Sequence, residues 1–184
     1  MKPWIVLDRD GVINQERIGY VKSVRDWRPI PGSLEAIAAL SRYGYAIAVA
    51  SNQAAVGKGL MTPTHLDEIH SIMCREVENM GGKIAGVFYC PHTEDAGCDC
   101  RKPRTGMLDA IEEQLGADLK NAPLVGDSLK DIQAARVKGC QPVLVRTGKG
   151  TQTETTTLLW PKYGVNTLIF DDLADFAHSL INKR

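Results

Sequence analysis

Short apolar runs, each the length of one strand, alternate along this chain with segments of helical period. The runs are Trp4 to Asp8, Tyr45 to Ala50, Val87 to Tyr89, Pro123 to Val125, Pro142 to Val145 and Thr167 to Phe170. Leu34, Ile37, Ala38 and Leu40 repeat with helical spacing after an expected N-cap in Pro31-Gly32-Ser33. Leu66, Ile69, Met73, Val77 and Met80 do so after Thr62-Pro63, a cap residue before a proline. Further helices are expected over Met107 to Leu115, Leu129 to Lys138 and from Asp172 onward. Helices between unbroken apolar runs make right-handed crossovers between parallel strands covered on both faces. The sequence therefore predicts an α/β chain, a single Rossmann-like three-layer domain over residues 1–184 with a mostly parallel central sheet. A length of 184 residues leaves no room for a separate cap domain. The threonine-rich tract Thr151–Thr157 reads as a loop.

In open parallel sheets ligands lie beyond the carboxyl ends of the strands, and this chain concentrates its carboxylates there. Asp8-Arg9-Asp10-Gly11 closes the first run. Extended side chains repeat with a period of two, so Asp8 and Asp10 point to one side of the exit loop, and Gly11 turns the chain without a Cβ. Taken alone, such a pair is also what a solvated strand-end turn contains. The second run delivers Ser51-Asn52, the segment after the third delivers Arg101-Lys102, and the fourth ends at Gly126-Asp127, with Asp131 one helical turn on. Acids this close repel one another unless a cation sits between them. Oxygen ligands from a few carboxylates suit Mg²⁺, and the hydroxyl, amide and lysine suit an anion.

Cys90-Pro91-His92 and Cys98-Asp99-Cys100 hold three of the five cysteines and one of the four histidines. Four soft ligands close a tetrahedral Zn²⁺ with no open position, a structural site. The zinc-binding loop spans about residues 90–101 and stiffens the segment that delivers Arg101-Lys102, lowering the ordering entropy of binding. Free loop cysteines are the plainer alternative. Cys74 and Cys140 read as small core residues, and His65, His70 and His178 as surface or helix-face residues without partners at ligand spacing. An odd cysteine count argues against a disulfide framework and for a reducing compartment. Twenty-two basic and 22 acidic residues give zero net charge, so no field draws the chain to nucleic acid or a membrane. No apolar run reaches the roughly 20 residues that span a bilayer, and Met1-Lys2-Pro3-Trp4 is no signal peptide. A cytoplasmic monomer with a small-molecule partner is expected.

Asp8-Arg9-Asp10-Gly11-Val12, Ser51-Asn52-Gln53, Lys102-Pro103 and Gly126-Asp127-Ser128-Leu129-Lys130-Asp131 resemble, in order, the motifs of the haloacid dehalogenase-like phosphatases, over residues 4–146. The resemblance implies that Asp8 attacks phosphorus to form an aspartyl-phosphate, and that Asp10 protonates the leaving alcohol and then deprotonates water. It implies that Ser51 and Lys102 bind the transferring phosphoryl oxygens. Asp8, Asp127 and the main-chain carbonyl of Asp10 are implied Mg²⁺ ligands, with Asp131 bracing the site from behind.

Cys-Pro-His followed by Cys-x-Cys-Arg-Lys-Pro, together with Ser51-Asn52-Gln53 and Gly19-Tyr20-Val21, is similar to the D-glycero-D-manno-heptose 1,7-bisphosphate phosphatases. Those enzymes remove the C7 phosphate of a phosphorylated sugar on the way to nucleotide-activated heptose for lipopolysaccharide. Histidinol phosphatases share the zinc subfamily and are the nearest rival. This resemblance implies substrate contacts from Arg9, Asn52, Gln53, Arg101 and the stretch Glu16 to Tyr20 that includes Gly19, with Ala54 and Ser128 in the same site. Ser51 stands where threonine is commoner, Ala54-Ala55 where many heptose enzymes carry Ser-Gly, and Ser128 where some carry lysine. Lys58, between Gly57 and Gly59, is expected to meet a second phosphate or to stand as an exposed loop lysine.

Other classes fit less well. The Gly-Lys-Gly triplets at 57–59 and 148–150 lack the strand context of a nucleotide-binding loop. A zinc-knuckle nucleic-acid module calls for a basic surface and stacking aromatics, against zero net charge and 6% aromatic residues. A non-catalytic scaffold relative would be expected to have lost Asp8 or Asp10.

Overall fold

The computed structural model describes residues 2–159 and 165–182. Its strands are β1 (Trp4–Leu7), β2 (Ala46–Asn52), β3 (Gly86–Cys90), β4 (Pro123–Gly126), β5 (Gln141–Val145) and β6 (Leu168–Phe170). They form one sheet in the order β3-β2-β1-β4-β5-β6, and every pairing is parallel. The helices are α1 (Ser33–Tyr43), α2 (Ala54–Gly57), α3 (Pro63–Asn79), α4 (Gly106–Leu115), α5 (Leu129–Lys138), α6 (Gly150–Leu159) and α7 (Leu173–Ile181).

Alternate residues of each central strand feed two different cores, as the pleat requires. Ile5, Leu7, Ile47 and Val49 pack with Leu40, Ile69 and Phe176 of α1, α3 and α7. Val6, Ala48 and Ala50 face the other way, toward Leu108 and Ile111 of α4 and Ala134 and Ala135 of α5. Covering both faces explains why the strands read as unbroken apolar runs. From β1 the sheet grows to β2 on one side and β4 on the other, with Leu7 level with both Val49 and Val125. The exits of β1 and β4, which carry Asp8 and Asp127, therefore flank the point where the strand order reverses, where open α/β sheets bind their ligands.

Gly32, at φ 82°, holds the N-cap position of α1 within the expected Pro31-Gly32-Ser33, while Ser33 is the first helical residue and its hydroxyl donates to the Ile13 carbonyl at 2.6 Å. One local expectation is corrected. The tract Thr151–Thr157 is not a loop but most of α6. The Thr153 hydroxyl donates to the buried Asp127 carbonyl at 2.8 Å, and Thr155 and Thr156 bond back to carbonyls four residues earlier. Of the two alternatives for His70, surface or helix face, the structure takes the second: it is buried on α3. Among the described residues no helix is long and apolar enough to cross a membrane.

Candidate active site

Asp8 leaves β1 with its N–H on the Val125 carbonyl at 2.9 Å, and its Oδ1 accepts the Arg9 N–H at 2.7 Å. Asp127 leaves β4 beside it, and its Oδ2 accepts the Lys149 N–H at 2.9 Å. Gly11 and Gly148 close around that carboxylate, and a Cβ on either would fall 2.0 and 2.2 Å from Asp127 Oδ2. Lys102 lies beneath, buried, with Nζ on the Ala50 carbonyl at 2.7 Å, Asp8 Oδ1 at 3.1 Å and Asp131 Oδ1 at 2.6 Å. Asp131 Oδ2 accepts the Ser128 N–H at 3.1 Å within the capping box of α5, and also the Ser128 hydroxyl at 2.6 Å.

Asp10 is held as an acceptor on every side. Arg9 Nη2 donates to its Oδ1 and Oδ2 at 3.0 and 2.9 Å, Asn14 Nδ2 to Oδ1 at 2.8 Å and Gln53 Nε2 to Oδ2 at 2.8 Å. Gln53 Nε2 also reaches the Ser51 hydroxyl at 2.9 Å. Burial opposes ionisation of Asp10, yet the Arg9 cation and these hydrogen bonds hold its carboxyl below the usual carboxylate range. The neighbouring acids behave oppositely. Burial, with Asp131 and Asp10 adding to it against the Lys102 charge, raises Asp8 to about 6. Burial and then the charges of Asp8 and Asp131 push Asp127 up to about 8. Although burial works against it, Lys102 is driven further toward the charged form by Asp131 and Asp8.

Two clusters have metal-ligand character. Oxygens of Asp8, Asp127 and Asp131 lie within 4.8 Å of one another. Asp131 is committed to Lys102 and Ser128, which leaves Asp8 and Asp127 as crowded acids that a hard divalent cation would relieve; the set fits Mg²⁺. Cys90, His92, Cys98 and Cys100 form the second. Cys90 Sγ lies 3.1 Å from Cys100 and 3.6 Å from Cys98, and His92 Nδ1 lies 3.3 Å from Cys100 and 3.7 Å from Cys90. Bonds of about 2.3 Å to zinc put sulfurs roughly 3.8 Å apart at the corners of a tetrahedron, so this set fits Zn²⁺. Burial and the adjoining thiols hold Cys100 at about 12, protons that a soft cation would displace.

A cavity of about 570 Å³ opens above the acids. Asp8, Asp10, Ser51, Asn52, Gln53, Ala54, Asp127 and Ser128 line its floor and wall, and Glu16, Tyr20 and Arg101 its mouth. Some expected contacts fall elsewhere. Arg9 does not line the cavity; it has no exposure, and its donors are turned to Asp10, Gln53 and His70. Asn52 reaches the wall, but its side chain holds the Lys102 backbone through two hydrogen bonds of 3.0 and 3.1 Å. Lys58 borders a neighbouring recess with its Nζ on the Tyr20 hydroxyl at 2.8 Å, and Gly19 lines neither space. Arg17, inside the expected stretch Glu16 to Tyr20, is on the cavity wall, as are Glu94, Lys130, Lys149 and Thr153, which the sequence did not single out. Lys130 lies inside the motif Gly126 to Asp131, and Lys149 inside the Gly-Lys-Gly triplet at 148–150. Glu94 ties Arg101, at 3.2 Å, to Lys130 across the mouth, and Lys149 pairs with Glu16.

Residues 99–176 match the HAD-hydrolase-like family model. The chain is 47% identical over 177 residues to the D-glycero-beta-D-manno-heptose-1,7-bisphosphate 7-phosphatase of Pseudomonas aeruginosa, covering 96% of this chain and 97% of that one. The enzyme of the same name from Neisseria meningitidis is 44% identical over 97% of this chain and 95% of its own. The crystal structure of D,D-heptose 1,7-bisphosphate phosphatase from Bordetella bronchiseptica, complexed with magnesium and phosphate, superposes with a TM-score of 0.92 at 42% identity over 100% of both chains.

Proposed function

The chain belongs to the D-glycero-β-D-manno-heptose-1,7-bisphosphate 7-phosphatases, within the haloacid dehalogenase-like hydrolases, and we propose that it removes the C7 phosphate of that bisphosphate through a phosphoryl group carried on Asp8. The observation that carries this reading is the contact of Asp8 with Lys102 at 3.1 Å, beside Asp127 and under a cavity open to a sugar phosphate.

Magnesium, held by the Asp8 and Asp127 carboxylates and the Asp10 carbonyl, supplies charge neutralisation for the transferring group when bound. Lys102 and Ser51 bind phosphoryl oxygens while Asp8 attacks phosphorus and the C7 oxygen leaves. Asp10 gives that oxygen its proton and then takes one from the water that opens the aspartyl-phosphate. Asp10 starts ionised beside Arg9, so it first takes up a proton, from solvent or from the monoprotonated phosphate ester, as the arriving negative phosphate raises its proton affinity; that proton then goes to the C7 oxygen. Cys90, His92, Cys98 and Cys100 would hold a zinc ion, which would stiffen the loop that carries Arg101 and Lys102.

Along the cavity wall Arg17 pairs with Asp26, Arg101 and Lys130 with Glu94, and Lys149 with Glu16, four cations to three anions. That balance suits the second phosphate of a sugar bisphosphate and opposes the ammonium of histidinol phosphate. Each chain carries a whole site, which supports a monomer, and the unpaired thiols support a reducing cytoplasm. The test is a steady-state comparison of the α and β heptose bisphosphates, histidinol phosphate and hexose monophosphates. One heptose anomer should exceed histidinol phosphate in kcat/KM by about 100-fold or more, and parity would overturn the substrate. Asp8→Asn should lose Mg²⁺-dependent turnover by a factor on the order of 10⁴.

A further inference from the structure

Arg9 is among the largest side chains in the molecule with no exposure. A guanidinium has five N–H donors and no acceptor, and one left without partners away from water is strongly destabilising. Nε and Nη2 are spent on Asp10, at 3.3, 3.0 and 2.9 Å, with Gln53 Oε1 sharing Nη2 at 3.0 Å. Nη1 points the other way and meets His70 Nε2 at 3.2 Å. Arginine can only donate, so Nε2 is the acceptor and the neutral ring carries its proton on Nδ1. The Tyr89 ring of β3 steadies the imidazole, with centroids 5.7 Å apart.

His70 also occupies a core position. Leu66, Ile69, His70, Met73 and Val77 are the buried residues of α3, and apolar packing alone would be served there by a leucine. We propose that His70 is a positioning residue for the proton transfers of Asp10: by accepting from Arg9 Nη1 it fixes the guanidinium that aims the Asp10 carboxylate into the cavity. Without His70 the guanidinium is held only through Nε and Nη2, by Asp10 and Gln53, and can tilt about that edge and carry the carboxylate with it, whereas an anchor for Nη1 on α3 fixes the opposite edge. This rests on the role given to Asp10 above.

The test compares His70→Leu and His70→Gln with the wild type in the full-length, metal-loaded protein, on heptose bisphosphate and on p-nitrophenyl phosphate. His70→Leu should lower kcat about 10- to 100-fold with KM changed less than about twofold. His70→Gln, whose Oε1 can accept from Arg9, should return to within about fivefold of wild type. An unchanged kcat in His70→Leu, or equal losses in both variants, would overturn the inference. Histidine-labelled wild-type protein, which requires no variant to fold, should show by NMR a neutral His70 with its proton on Nδ1; a proton on Nε2 overturns it equally. If wild type hydrolyses the aryl phosphate but not the heptose ester, the substrate reading fails alone and His70 is judged on the aryl ester. If wild type hydrolyses neither, the phosphatase reading and this inference fall together.

Discussion

Lys102 is a buried cation enclosed by Asp8, Asp131 and the Ala50 carbonyl, and its removal separates two effects. Lys102→Met would leave two carboxylates facing each other without a counter-charge, costing about 3–5 kcal/mol in urea unfolding. It would also remove a donor to the transferring phosphoryl group, lowering kcat/KM on the order of 10³-fold. A variant of wild-type stability would show that Asp8 and Asp131 do not depend on this charge. Single residues were legible to very different degrees. Asp8, Asp127 and the three loop cysteines stand out because each ends a strand or repeats at ligand spacing, and Lys102 because it follows the last of those cysteines; the fold brings them together. Arg9 misled because its neighbours in sequence are site residues, and spacing does not report which way a long side chain turns at a strand exit. His70 was readable in principle: it follows Leu66 by four and precedes Met73 by three, which places it on the buried stripe of α3. A search for metal-ligand spacing alone passes over it.

α6 and the zinc loop show what decides an element when propensity does not. Threonine is a weak helix former, so a run of threonines read as a loop. The missing information was the Asp127 carbonyl, 26 residues earlier in the chain, which receives the Thr153 hydroxyl. Two substitutions on this helix should therefore have opposite signs. Thr153→Ala leaves a buried carbonyl short of a donor and should destabilise by about 1–2 kcal/mol. Thr155→Ala, at an exposed position, should stabilise by about 0.5 kcal/mol. Urea midpoints measure both, and an unchanged midpoint in Thr153→Ala would mean that α6 does not depend on its contact with the β4 exit. The loop after β3 was legible because its ligands sit close together in sequence. Purified protein should contain about one zinc per chain, and Cys98→Ser should lower that content and raise KM, because the same loop presents Arg101 at the cavity mouth. Full zinc occupancy in the variant would remove Cys98 from the ligand set.

The alternation of runs and helices made an open α/β sheet legible, but the strand order was not, since alternation is compatible with several ways of winding. The observed order sets Asp8 and Asp127 on adjacent strands, and the whole molecule answers to that placement through pH. An ordinary aspartate titrates near 3.8, whereas folding raises Asp8 to about 6 and Asp127 to about 8. Between those limits the folded chain retains protons that the unfolded chain has released. Stability therefore falls as pH rises through that window, the reverse of what a carboxylate with a lowered value contributes. Without magnesium the melting temperature of zinc-loaded protein should drop from pH 5 to pH 8, reflecting a loss on the order of a few kcal/mol. Magnesium replaces those protons, so its stabilising effect should grow over the same interval. Asp127→Asn removes both the largest shift and a ligand: its melting temperature should vary less with pH and respond little to magnesium. A wild-type melting temperature that climbs toward pH 8 in magnesium-free buffer would mean that these acids do not crowd one another, and the metal site drawn from them would be wrong.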